Sequence, residues 1–176
     1  MGKKQRENLG SFMKKILFFA VLIAIFSGCS KIGEKNHIAL NSQTSITTFF
    51  SASNKTITLK ENKPFMLFFF SSDCGACKEA IPYINFFDEK YAQNFEIVGV
   101  MGGSLGFDKD IEILKNYDIK FKVISDTQSV DYLSRAVGGI YGVPVFYMYD
   151  KEGKLANKYL GLTPKNKLEE SIKSLI

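Results

Sequence analysis

FFFSSDCGACKEAIP, residues 68–82, decides how the chain is read. An aromatic apolar run stops at a small polar turn, and two cysteines follow with Gly75-Ala76 between them. The residues after Cys77 fall into helical spacing. If a helix begins around Cys74, the first thiol sits at its N-terminus, where free N–H groups and the helix dipole favour the thiolate. Cys77, one turn further in, is expected to be more buried. Cys74 would then attack a disulfide and Cys77 would resolve the mixed disulfide, the asymmetry that thiol–disulfide exchange requires.

Other uses of two cysteines fit less well. A structural zinc site needs four ligands, and the chain offers Cys74, Cys77 and a single histidine, His37. A cysteine–histidine hydrolase needs a base beside the thiol, yet the region expected to fold, 45–176, has no histidine. Copper delivery calls for wider cysteine spacing and a downstream histidine. A permanent structural disulfide is the remaining alternative, although a loop this short gains little from closure. No metal and no other cofactor is expected.

Upstream, Ile16–Phe26 is an unbroken apolar run preceded by Lys14 and Lys15. It is too short to span a bilayer comfortably and has the length of a signal-peptide core. Met13 could be the true start. Phe26-Ser27-Gly28-Cys29 resembles a bacterial lipobox with Phe in place of the usual Leu, which implies lipidation at Cys29 and tethering to a membrane rather than spanning it. The third of the three cysteines is thereby accounted for. Export places the Cys74–Cys77 pair where disulfides persist. The net charge of +5 also belongs mainly to this leader, since the chain after residue 28 holds 18 basic and 17 acidic residues. No electrostatic footprint for nucleic acid remains.

The expected organisation is a signal peptide over 1–28, a polar lipid-anchored tether over 29–44 and a single domain over 45–176. About 15 extended tether residues would reach roughly 50 Å, and His37 would be solvated within them. Strands are expected at 56–60 (an edge), 64–70, 96–101, 121–126, 143–150 and 155–160. Helices are expected at 77–92, 108–117, 129–137 and from Thr163, as N-cap before Pro164, to Ile176. Strands alternating with helices, then a hairpin and a last helix, describe an α/β fold: a three-layer sandwich around a mixed sheet.

The strand–CxxC–helix unit, Gly142-Val143-Pro144 before a strand and an acidic-Gly turn beyond it resemble the thioredoxin fold over roughly residues 55–176. The central stretch between Met101 and Asp126 makes the chain most similar to the membrane-tethered TlpA-like group. The resemblance implies a redox-active Cys74–Cys77 disulfide, a helix-kinking Pro82, and a cis Pro144 that, with Val143, faces the disulfide and pairs with the substrate backbone. The chain departs from the family in several places. Asp73 stands where many members have Trp. The family's buried acids would fall on Phe68 and Ala80, and Glu79 lies one place off. Val143 replaces the Thr often found before the proline, as in oxidising relatives.

Together these features imply an extracytoplasmic, membrane-anchored thiol–disulfide oxidoreductase. Its partners would be protein disulfides, such as apocytochromes or other envelope proteins, and a membrane electron donor, with the protein itself a monomer. The alternatives are a disulfide oxidant or isomerase, and a non-catalytic binding lipoprotein on the same scaffold.

Overall fold

In this computed structural model the described residues are 32–176. The leader, Cys29 and the lipobox lie outside them. Eight strands and four helices follow: β1 (Ile32–Ile38), β2 (Ser45–Ser51), β3 (Thr56–Leu59), β4 (Phe65–Ser71), α1 (Gly75–Tyr91), β5 (Glu96–Gly102), α2 (Phe107–Asn116), β6 (Lys122–Ile124), α3 (Thr127–Ala136), β7 (Val145–Tyr149), β8 (Leu155–Leu160) and α4 (Lys165–Lys173). The main sheet is ordered β6-β5-β4-β7-β8. Its β4–β5 and β5–β6 pairs are parallel, whereas β7 runs antiparallel to both β4 and β8. The mixed sheet and layered α/β architecture expected from the sequence are therefore present.

The central strand explains the layering. Phe65 to Phe70 are all buried, so alternate side chains enter two separate cores. Met66, Phe68 and Phe70 point to the side covered by α1, α4 and Leu114 of α2. Phe65, Leu67 and Phe69 meet Leu133 of α3 with Ile46, Ile57 and Leu59 from β2 and β3. Each such side chain contributes about 1.5–3 kcal/mol on burial, and the strand carries six of them. Gly99, opposite Phe68 in the register, leaves room for this aromatic density: a Cβ there would come within 2.7 Å of the Phe121 ring.

The segment expected as a tether is corrected from residue 32 onward. Residues 32–38 are not a polar linker but β1, paired along its length with β2 in an antiparallel sheet ordered β1-β2-β3. The turn that follows is tied to the main sheet, with Leu40 N–H donating to the Val123 carbonyl and Asn41 bonding both Phe121 and Val123 backbone. His37, expected in solvent, is 1% exposed. Its Nε2 lies 2.9 Å from Thr48 Oγ1, its ring leans on Tyr132, and its buried Nδ1 has no partner among the described residues. IGEKNHI has no apolar alternation, so nothing in its pattern marks an inward face; the histidine supplies that face as a neutral ring.

Burial lowers the His37 pKa from 6.5 to about 4, with Asp126 opposing the shift and Lys35 adding to it. A histidine held neutral stabilises the fold fully above pH 6.5, and that contribution is lost as pH falls toward 4. Chemical denaturation at pH 7 and pH 5 should differ by roughly 2 kcal/mol from this group. A His37→Gln variant should remove that part of the slope.

Helix ends follow local chemistry. Asp126 caps α3 by accepting the Ser129 N–H, starting the helix two residues before the expected position. Thr163 does not cap α4: its hydroxyl donates to the Gly161 carbonyl, the cap falls on Pro164, and the helix ends at Lys173. Pro82 lies inside α1 without ending it. The burial of Ile81, Ile84 and Phe87 on the same helix offsets a proline cost of about 3 kcal/mol.

Candidate active site

β4 ends at Ser71, and the turn Ser71–Cys74 closes with Cys74 N–H donating to the Ser71 carbonyl at 3.4 Å. Cys74 is the N-cap of α1 with extended backbone, φ −83° and ψ 107°. Its Sγ accepts the N–H of Cys77 at 3.1 Å. A serine or aspartate usually fills this role; here the acceptor is the sulfur itself, so the helix terminus acts directly on the atom that would carry charge as a thiolate. Cys74 and Cys77 form a disulfide with Cα atoms 5.2 Å apart. Cys74 is half-buried and Cys77 fully buried, so only one sulfur can be approached from outside. Gly75 is helical and a Cβ there would meet nothing. Sterics do not require this glycine.

The wall facing the sulfur comes from the 138–144 loop. The Val143–Pro144 peptide is cis, and the Val143 carbonyl lies 3.7 Å from Cys74 Sγ. Once the pair is reduced, the thiol can donate to that carbonyl. The Pro144 carbonyl accepts the Gly161 N–H at 2.8 Å, which brings the β8–α4 turn alongside. Three apolar side chains that the sequence reading did not single out lie on these segments and are exposed: Tyr141 at 97%, Leu160 at 72%, and Leu162. Nothing in the sequence separates them from core aromatics and leucines; the Pro144–Gly161 bond and the Val145–Leu160 pairing bring their segments together.

The positions where the family carries acids are apolar. Phe68 is buried between the Phe70 and Phe146 rings, at 5.1 and 4.9 Å, with the Phe121 edge closing the column. Ala80 is buried beside Cys77 in the same core, whereas Glu79 is exposed. Glu79 acts instead on Tyr83: burial first, and this carboxylate second, push the Tyr83 hydroxyl up to about 12. The hydroxyl donates to the Thr163 carbonyl at 3.1 Å. Asp73 faces solvent and accepts the Ser72 hydroxyl at 2.6 Å. Tyr117, at the end of α2, reaches the Ser72 carbonyl at 3.2 Å. Among the described residues no three His, Cys, Asp or Glu side chains gather as a metal site.

Residues 41–175 match the Redoxin family. The chain belongs to the Redoxin family. It is a thiol–disulfide oxidoreductase with Cys74–Cys77 as its CxxC disulfide. It is 28% identical to the thiol–disulfide oxidoreductase ResA of Bacillus cereus, with 98% of each chain covered. It is 30% identical to the thiol–disulfide oxidoreductase YkuV of Bacillus subtilis, over 65% of this chain and 78% of that one. In fold it is similar to the exposed lipoprotein thioredoxin Etrx1 of Streptococcus pneumoniae, with a TM-score of 0.63, 19% identity, and coverage of 81% of this chain and 100% of the other. Residues 13–30 match the prokaryotic membrane lipoprotein lipid attachment site, and Cys29 is the single cysteine in that stretch. This Redoxin protein is therefore lipid-anchored at the bacterial cell envelope. Among the described residues no helix is long and apolar enough to cross a membrane.

Proposed function

We propose that this Redoxin protein reduces disulfides in envelope proteins, apocytochromes among them, with Cys74 as the attacking sulfur and Cys77 as the resolving one. The observation that carries the assignment of roles is the asymmetry of the pair: half-buried Cys74 receives the helix N–H on its Sγ, while Cys77 is 0% exposed. In the first step the Cys74 thiolate attacks a client sulfur, forming a Cys74–client disulfide and expelling the other client sulfur as thiolate. Cys77, as thiolate, then attacks Cys74 Sγ. The Cys74–Cys77 bond forms and the reduced client leaves. The protein is oxidised by two electrons, so a membrane-bound thiol donor must restore the dithiol.

The surroundings of Cys74 support the reducing direction. One backbone N–H reaches the sulfur, no cationic side chain hydrogen-bonds to it among the described residues, and the exposed carboxylate of Asp73 precedes it. A strong oxidant needs its thiolate held much more firmly. The test compares half-reactions: the dithiol form should reduce a disulfide-bonded peptide faster than the disulfide form oxidises the same peptide as dithiol. The reverse ranking would favour the oxidant reading. Cys29 carries the lipid in this account.

The client segment would lie along Val143-Pro144, with Tyr141, Leu160 and Leu162 touching apolar residues beside its cysteine. Tyr141→Asp and Leu160→Asp should each raise KM for an unfolded apolar client several-fold. Neither should alter the rate with a small disulfide such as oxidised glutathione, which is too short to reach them.

A further inference from the structure

We propose that Tyr117 is a positioning residue for the redox pair, holding the Cys74–Cys77 turn from both sides through two different contacts. This rests on the redox reading above and extends it to a residue outside the motif. On the N-terminal side, the Tyr117 hydroxyl donates to the carbonyl of Ser72, two residues before Cys74. On the C-terminal side, the Lys78 ammonium sits 4.8 Å from the centre of the Tyr117 ring, and Lys78 directly follows Cys77. The ring itself packs against the core that contains Cys77. One side chain at the C-terminal cap of α2, in the segment between β5 and β6, thus brackets the four-residue redox ring.

The two contacts have different chemistry and separable consequences. The hydroxyl bond fixes the Ser71–Cys74 turn, which sets where the cap sulfur points. The ring–ammonium contact holds a cation that would otherwise be free to swing: Lys78 is four residues after Cys74, a spacing at which helical side chains are neighbours. Both contacts are made with the disulfide closed. Reduction lengthens the sulfur–sulfur separation from a bond to a non-bonded contact, and a turn held at both ends resists that change. Tyr117 therefore favours the disulfide form and keeps Cys77 aligned for closure onto Cys74.

The test measures two quantities in the full folded head: the disulfide-to-dithiol ratio at a fixed thiol buffer, and the rate at which Cys77 resolves a preformed Cys74 mixed disulfide. Tyr117→Phe keeps the ring and removes the hydroxyl bond. Loss of this bond should lower the disulfide-to-dithiol ratio about threefold to tenfold, where tenfold equals about 30 mV toward easier reduction. Resolution should slow by a similar factor. Tyr117→Leu, which also releases Lys78, should shift both quantities further. Tyr132→Phe is the control, because its hydroxyl makes an equivalent 3.2 Å bond to the Gly33 carbonyl while its ring packs against the other core. Loss of stability alone would affect the Tyr117 and Tyr132 variants alike and move neither redox quantity. Values for Tyr117→Phe within twofold of the unsubstituted protein would overturn the proposal. If the unsubstituted pair itself did not exchange with any thiol buffer, the redox reading would fail instead.

Discussion

Cys77→Ser should attack client disulfides at a near-normal rate and then stop, accumulating a covalent Cys74–client adduct. The reason lies in the division of labour between the two sulfurs. Cys74 is half-exposed and capped by the N–H of residue 77, and a serine at 77 retains that backbone donor. The first step keeps its nucleophile and its helix terminus. The second step loses its nucleophile entirely, and release then depends on an external thiol. Intramolecular closure gains an effective concentration of about 10⁵ M or more over a bimolecular reaction. Turnover should therefore fall by at least about 10³-fold, with the adduct stable on non-reducing gels. Cys74→Ser should give neither attack nor adduct, because Cys77 is buried beneath the core. Adducts formed equally well through either single cysteine would contradict the assigned roles. A protein whose disulfide is purely structural would trap nothing in either variant.

Phe68→Asp should come close to unfolding the protein rather than furnish it with the family's buried acid. Phe68 is the middle of an aromatic column, stacked on Phe70 and Phe146 with Phe121 at its edge, and it is completely buried. Truncating a phenylalanine in such a site costs about 3–5 kcal/mol. An aspartate also brings a carboxyl group with no described polar partner in an apolar core, which costs more and leaves it protonated. The total of about 5 kcal/mol or more is a large part of the stability of an ordinary domain. Phe68→Leu, which keeps most of the volume, should cost about 1–2 kcal/mol, and denaturant midpoints of the two variants provide the check. A well-folded Phe68→Asp protein would mean that the column contributes far less than its burial implies. The same column bears on proton handling. With phenylalanine at 68 and alanine at 80, neither of these positions offers an acid to take the Cys77 proton, so the resolving rate should rise about tenfold per pH unit while the thiolate fraction is small.

Much of this architecture was legible where a physical period or a stop signal is strong. PFMLFFF reads as a strand buried on two faces because it has no polar position, and the structure splits its side chains between two cores. The resemblance of Gly142-Val143-Pro144 to the thioredoxin-fold loop, rather than any period, implies a position opposite the cysteines, and the Val143 carbonyl lies 3.7 Å from Cys74 Sγ. Legibility ended where burial is not carried by apolar residues. IGEKNHI forms a full strand whose inward side includes a histidine and whose backbone pairing is invisible in composition. SITTFFS, rich in β-branched and aromatic residues, carries a strand signal of its own and forms β2. The helix starts shifted by one or two residues for local reasons: Asp126 caps earlier than the apolar pattern begins, and the Thr163 hydroxyl turns back to Gly161. Tyr117 could not have been found from the motif, because its partner Ser72 is 45 residues away.

The reducing assignment is tested most directly by the equilibrium reduction potential of Cys74–Cys77, measured on the folded head against a graded thiol buffer. The expected value is about −270 mV, at the thioredoxin end of the range. Such a pair passes electrons to client disulfides and needs a membrane donor to restore it. A value near about −120 mV would contradict the account and make the protein a disulfide donor.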